Sequence, residues 1–196
     1  MQKLSIIVVL LLGAAFCGCS EGKNIIREKA LSERNDVFTE IQTEDLPAKG
    51  FSNLSIRAQI KTHVEGHYLF EAKDSLHGKP KYPFMFNIDG QMITWEEEGK
   101  KEDTPRSDKD GVSIPDGGEG VRYVLERKIR LHAGPHKVFF ALPNDNYYTE
   151  FQLVLNEGTQ NMLDFHPIYW GFRRLRGHFL HDIRYYEVLM NGKRLP

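Results

Sequence analysis

The sequence predicts an all-β fold, an antiparallel β-sandwich of the Ig-like kind, behind an N-terminal secretory signal and a flexible tether. Three observations predict it. Apolar and polar side chains alternate strictly from Leu54 to Glu65, short apolar runs recur with Gly, Pro and Asn turn signals between them, and no long amphipathic helical period interrupts the series. The chain's 196 residues suffice for one ordinary domain with a core. Its 26 basic and 27 acidic side chains lack the basic excess that nucleic-acid binding requires, and 11% aromatic content is too high for a disordered tail. Two cysteines are too few for a disulfide framework or a thiolate zinc site.

Met1-Gln2-Lys3 opens the chain with a positive charge, and Leu4 to Phe16 is an uncharged run of 13 residues. That is the shape of a secretory signal, shorter than the ~18–20 residues that cross a hydrocarbon core of roughly 30 Å. Phe16-Cys17-Gly18-Cys19 then resembles the lipobox of bacterial lipoproteins, although Phe16 and Cys17 replace the commoner Leu-Ala pair. The resemblance implies that residues 1–18 are removed, that the Cys19 sulfur takes a diacylglyceryl group and that the new amino terminus is acylated. Two or more acyl chains, at ~0.8 kcal/mol per buried methylene, anchor a protein stably without a spanning helix. Ser20 stands where an aspartate would hold such a lipoprotein in the inner membrane, so the resemblance implies the outer membrane.

Residues 19–50 are polar and mixed in charge, with a short helical stretch near Ile25–Glu33 and a breaker at Pro47–Gly50, and they read as a linker. Val37, Phe38 and Ile41 offer an alternative edge strand. The sandwich domain is expected over 51–196. Its first strand carries Leu54, Ile56, Ala58, Ile60, Thr62 and Val64 on one face, with Arg57, Lys61, His63 and Glu65 among the polar residues opposite. The run Tyr82–Ile88 ends at Asp89-Gly90, a favoured hairpin turn, and continues as Met92–Trp95. Residues 96–120, with nine acidic and four basic side chains, five glycines and two prolines, read as a flexible acidic insertion. Further strands are expected at Val121–Leu131, Lys137–Leu142, Phe151–Leu155, Asn161–Phe165 and Phe179–Met190, the last closed by Asn191-Gly192.

The strand Phe84–Gly90, the corner Ile129–Val138 with its Gly134-Pro135-His136, and the strand pair from Leu153 through Phe165 to Pro167 resemble the PEGA modules, small surface-associated sandwiches. The proline-glutamate-glycine-alanine signature is absent and the acidic insertion falls inside the module. The resemblance implies an envelope-associated binding or spacing role.

Among the eight histidines, His63 and His67 are four apart on the polar strand face and read as solvated surface residues rather than ligands. His178 and His181 fall on opposite faces of a strand, and His136 shapes a corner. No third ligand is apparent, so no metal or other cofactor is expected. No nucleophile elbow, phosphate loop or His-Glu-x-x-His motif is present, and no catalytic residue is assigned. The candidate binding patch is Tyr169, Trp170 and Phe172 with Arg173, Arg174 and Arg176, rings for a sugar beside guanidinium groups for phosphate or carboxylate. Residues 166–196 hold six basic and two acidic side chains, opposite in sign to the acidic insertion. The function expected is therefore non-catalytic. A lipid-tethered sandwich would bind a periplasmic partner protein or a cell-wall glycan, the alternative being an envelope hydrolase or metal-dependent enzyme built on histidines and carboxylates.

Overall fold

The structure, a computed structural model, describes residues 18–42, 45–170, 178–180 and 183–195. A helix, α1 (Gly18–Lys29), precedes eleven strands: β1 (Phe38–Glu40), β2 (Phe51–Thr62), β3 (Lys81–Ile88), β4 (Gln91–Glu98), β5 (Lys100–Thr104), β6 (Gly118–His132), β7 (Gly134–Leu142), β8 (Tyr147–Leu155), β9 (Gln160–Tyr169), β10 (Ile183–Met190) and β11 (Lys193–Arg194). They form the expected sandwich of two sheets. One is ordered β1-β6-β2-β9-β10-β11, with β5 also on β6, and the other β4-β3-β7-β8. All pairs are antiparallel except β2 with β9, which is parallel.

The period-two pattern sets the core. Leu54, Ile56, Ala58 and Ile60 of β2, Val121, Tyr123 and Leu125 of β6, and Phe165 of β9 face Phe84 and Phe86 of β3 and Val138 and Phe140 of β7, all of them buried. At the centre the Phe140 ring lies 4.5 Å from that of Phe165 and 4.9 Å from that of Phe86, centroid to centroid. Such offset and edge contacts add to burial, and truncating one of these rings costs ~3–5 kcal/mol. The turn chemistry follows the sequence. Asp89 and Gly90, with φ of 48° and 91°, close the β3–β4 hairpin, and Asn191 and Gly192, at 51° and 78°, close β10–β11.

Two segments differ from expectation. The segment 19–50, read as a linker, supplies α1 and β1 to the sandwich. The cause lies in β3 and β7, whose runs are apolar on both faces, so Met85, Phe139 and Ala141 point away from the main core. Ile26 of α1, with Ile25 and Ala30, covers them. Phe38 pairs opposite Leu131 at the sheet edge and is buried. The acidic stretch 96–120 is likewise strand at both ends, because β4 continues to Glu98 and β5 zips along the start of β6 from Lys100↔Arg122 to Thr104↔Gly118, and only 105–117 form a loop. Gly99 lets the chain cross from one sheet to the other, since a Cβ there would lie 2.6 Å from Tyr123 Cε1. The strand's half-buried charge, Glu102, is paired. Glu102 meets Arg122 at 2.7 Å and Lys61 at 3.1 Å. Among the described residues no helix is long and apolar enough to cross a membrane.

Candidate functional site

A cleft of about 480 Å³ opens where β2 ends, bounded by the loop after Thr62, the 3-10 turn Pro143–Asp145 and the short 3-10 segment His178–Leu180. The polar face of β2 does not reach solvent here. Lys61 and His63 are 1% and 4% exposed, because the segments around Asp116–Gly120 and Phe179 close over Lys61 while the rings of Tyr68 and His77 pack against His63. His63, expected on the solvated surface, is therefore buried.

Lys61 is saturated. Its Nζ donates to the carbonyl oxygens of Gly118 at 2.7 Å and Asp116 at 2.8 Å and to Thr104 Oγ1 at 3.1 Å, beside Glu102 and over the Phe179 ring. Burial pushes the Glu102 carboxyl up, but the hydrogen bonds and charges of Arg122 and Lys61 outweigh it and hold that group below its ordinary range. A buried ion pair with every donor used is a clamp on β5 rather than a reactive centre.

His63 and the loop after it behave differently. His63 Nδ1 lies 2.9 Å from the Val64 carbonyl oxygen, and its Nε2 lies 3.0 Å from His77 Nδ1 and 3.5 Å from Glu71 Oε1. His77 Nε2 lies 2.6 Å from Asp145 Oδ1, whose second oxygen accepts the Tyr82 hydroxyl. Ser75 Oγ donates to Glu71 Oε1 at 2.5 Å. Ligand-type atoms of His63, Glu71 and His77 all fall within 4.8 Å of one another. Burial pulls the His63 ring below the usual histidine range, partly offset by its bond to the Val64 carbonyl.

Local geometry returns the loop to this point. The Gly78 N–H donates to Thr62 Oγ1 at 3.0 Å, and Gly78 has φ of 71° where a Cβ would stand 2.1 Å from the Glu65 nitrogen, so only glycine lets the chain fold back and set His77 beside His63. Lys79 pairs with Glu65, and Asn144 Nδ2 donates to the Asp74 carbonyl at 3.2 Å across the cleft.

The sequence-predicted residues divide. His67 stacks on His63 at 5.5 Å but is exposed and contributes no converging atom. Tyr169 does not present its ring to solvent. It is 7% exposed, its hydroxyl accepts the Lys61 backbone N–H at 2.8 Å, and burial pushes that hydroxyl up, keeping it neutral. Trp170 is 51% exposed under the Arg184 guanidinium, 5.1 Å from its ring centroid. Phe172, Arg173, Arg174, Arg176 and His181 lie outside the described residues, as does the His178 side chain. Glu71, His77, Tyr82 and Asp145 were not singled out from sequence. The available signal was a polar strand face ending in Lys61 and His63 just before a stretch with no apolar period that carries two more histidines.

α1 begins at the same end. A Cβ on Gly22 would lie 3.0 Å from Asn146 Oδ1, and Lys23 lines the cleft. Cys19 is one helical turn earlier in α1. In the loop between Tyr68 and Glu71, both of which line the cleft, Leu69 and Phe70 are 91% and 95% exposed. No protein-family model, curated protein or solved structure matches the chain.

Proposed function

We propose that the chain is a non-catalytic envelope lipoprotein, anchored through Cys19 to the outer membrane, whose sandwich lies with its cleft end against the bilayer and binds its ligand there. The observation that carries this reading is the placement of Leu69 and Phe70. Two large apolar side chains stand almost wholly in water in the loop between Tyr68 and Glu71, which line the same cleft as Lys23 of α1, the helix on which a lipid at Cys19 would hold the membrane. Anchoring stabilises most when two signals act together, and an apolar loop beside an acylated terminus supplies the second. With α1 docked on the sheet, the distance from Cys19 to the sandwich is a helical turn rather than a long tether. The resemblance to PEGA modules supports the same envelope-associated role.

The test is a lipidated protein in nanodiscs carrying an environment-sensitive fluorophore at Phe70→Cys, compared with Val154→Cys, an exposed apolar position on β8. A blue shift on nanodisc assembly at position 70 alone supports the reading. Equal responses at both positions would reject it and favour docking of the loop on a partner protein or a glycan. Labelled palmitate that persists in Cys19→Ala would reject the anchor itself.

A further inference from the structure

With both rings neutral, the His63–His77 contact has no hydrogen in it. A carbonyl oxygen has none to give, so His63 Nδ1 carries the hydrogen that faces Val64 and the neutral ring turns a lone pair outward at Nε2. A carboxylate also has none to give, so His77 Nε2 carries the hydrogen that faces Asp145, and a neutral ring there turns its Nδ1 lone pair outward. These two lone pairs point at each other across 3.0 Å, with a Glu71 carboxylate oxygen 3.5 Å from one of them. Three electron-rich atoms meeting in a half-buried place repel unless a positive charge, a proton or a metal ion, sits among them.

We propose that His63 Nε2, His77 Nδ1 and the Glu71 carboxylate form a site for one divalent transition-metal ion of zinc's class, with a further coordination position open to the cleft. Spacing supports it. Ligand atoms ~2.1 Å from a tetrahedral ion stand roughly 3.4 Å apart, and the His63 separations of 3.0 and 3.5 Å bracket that value. Two imidazoles and one carboxylate are a donor set that suits zinc and its neighbours and not calcium or magnesium. The outer contacts are those a metal-ligating histidine needs. His63 is oriented by a backbone carbonyl and His77 by a carboxylate that Tyr82 fixes in turn, while Glu71 is steadied by Ser75. Three protein ligands facing a cleft leave room for a water or a ligand group on the ion. The site goes beyond the membrane reading and does not depend on it.

The experiment is calorimetric titration of the full-length protein in detergent, purified without a polyhistidine tag and stripped with chelator, using zinc chloride as the probe and cobalt(II) absorption as a second readout. One ion per chain is expected. Glu71→Gln and His77→Ala each lower zinc affinity by at least ~100-fold and remove the cobalt d–d bands, whereas His67→Ala changes affinity less than about twofold. His63 is buried and its removal risks the fold, so Glu71→Gln, on the half-exposed loop and checked by circular dichroism, is the deciding variant. The proposal is overturned if zinc does not bind at one equivalent, or if binding survives both Glu71→Gln and His77→Ala. Either result leaves the nanodisc fluorescence standing, and a failed nanodisc experiment leaves the zinc titration standing.

Discussion

Two histidine–aspartate pairs stand at opposite ends of the four-stranded sheet, linked by β3, which runs from Tyr82 beside Asp145 to Ile88 just before Asp89. At the Asp89 end, His136 Nδ1 lies 2.7 Å from Asp89 Oδ2 and its Nε2 lies 2.8 Å from the His132 carbonyl oxygen, while Asp89 Oδ1 accepts the Lys137 N–H at 2.7 Å. Both ring nitrogens face an oxygen of the protein, and neither is turned toward another ligand-type nitrogen. At the Asp145 end, His77 meets its aspartate with one nitrogen and turns the other toward a second ring. The same residue pair is a corner brace in one place and half of a ligand set in the other. What separates them is whether the second nitrogen faces a backbone oxygen or a ring nitrogen of another side chain with which it can share a cation.

The comparison breaks most visibly at the brace. Asp89→Ala strands both His136 and the Lys137 N–H, and a loss of about 2–3 kcal/mol in urea unfolding is expected with zinc affinity unchanged. At the other end the effects reverse. Asp145→Asn can still accept from Tyr82, so the fold persists, but a ~10–100-fold drop in zinc affinity is expected by calorimetry because His77 loses its orienting carboxylate. A smaller effect follows from pH. Burial holds His63 below its ordinary value, so below about pH 6.5 the unfolded chain binds the proton that the folded chain refuses, and metal-free stability declines with acidity. Urea midpoints at pH 7.5 and 5.5 should diverge in the native chain and converge in His63→Gln. Smallest of all, Trp170→Ala on the exposed surface should alter stability by no more than about 0.5 kcal/mol. A larger loss would mean that Trp170 packs as part of the cleft wall.

The sandwich was legible because period-two alternation and the Asp-Gly and Asn-Gly turns are local signals, visible in β2, at Asp89-Gly90 and at Asn191-Gly192. The docking of α1 was not, since Ile26 gains its meaning only from Met85 and Phe139, far away in sequence. Charge misled in 96–120, where composition suggested solvation and the strand β5 instead spends Glu102 on Arg122 and Lys61. The histidine site was hidden for a related reason. Spacing draws attention to His63 with His67, yet the donors come from a strand end and a loop closed by Gly78, with His63 and His77 14 positions apart and a distant turn supplying Asp145 to orient His77. Sequence shows that a polar face exists; it does not show what later folds over it.

The most direct measurement is a long-range proton–nitrogen correlation spectrum of the histidine side chains, recorded before and after one equivalent of zinc. Coordination at the cleft predicts that His63 Nε2 and His77 Nδ1 move to metal-bound shifts while both nitrogens of His136 stay in place. A spectrum in which neither cleft nitrogen responds to zinc, or in which His77 already carries hydrogen on both nitrogens and keeps them, would contradict it.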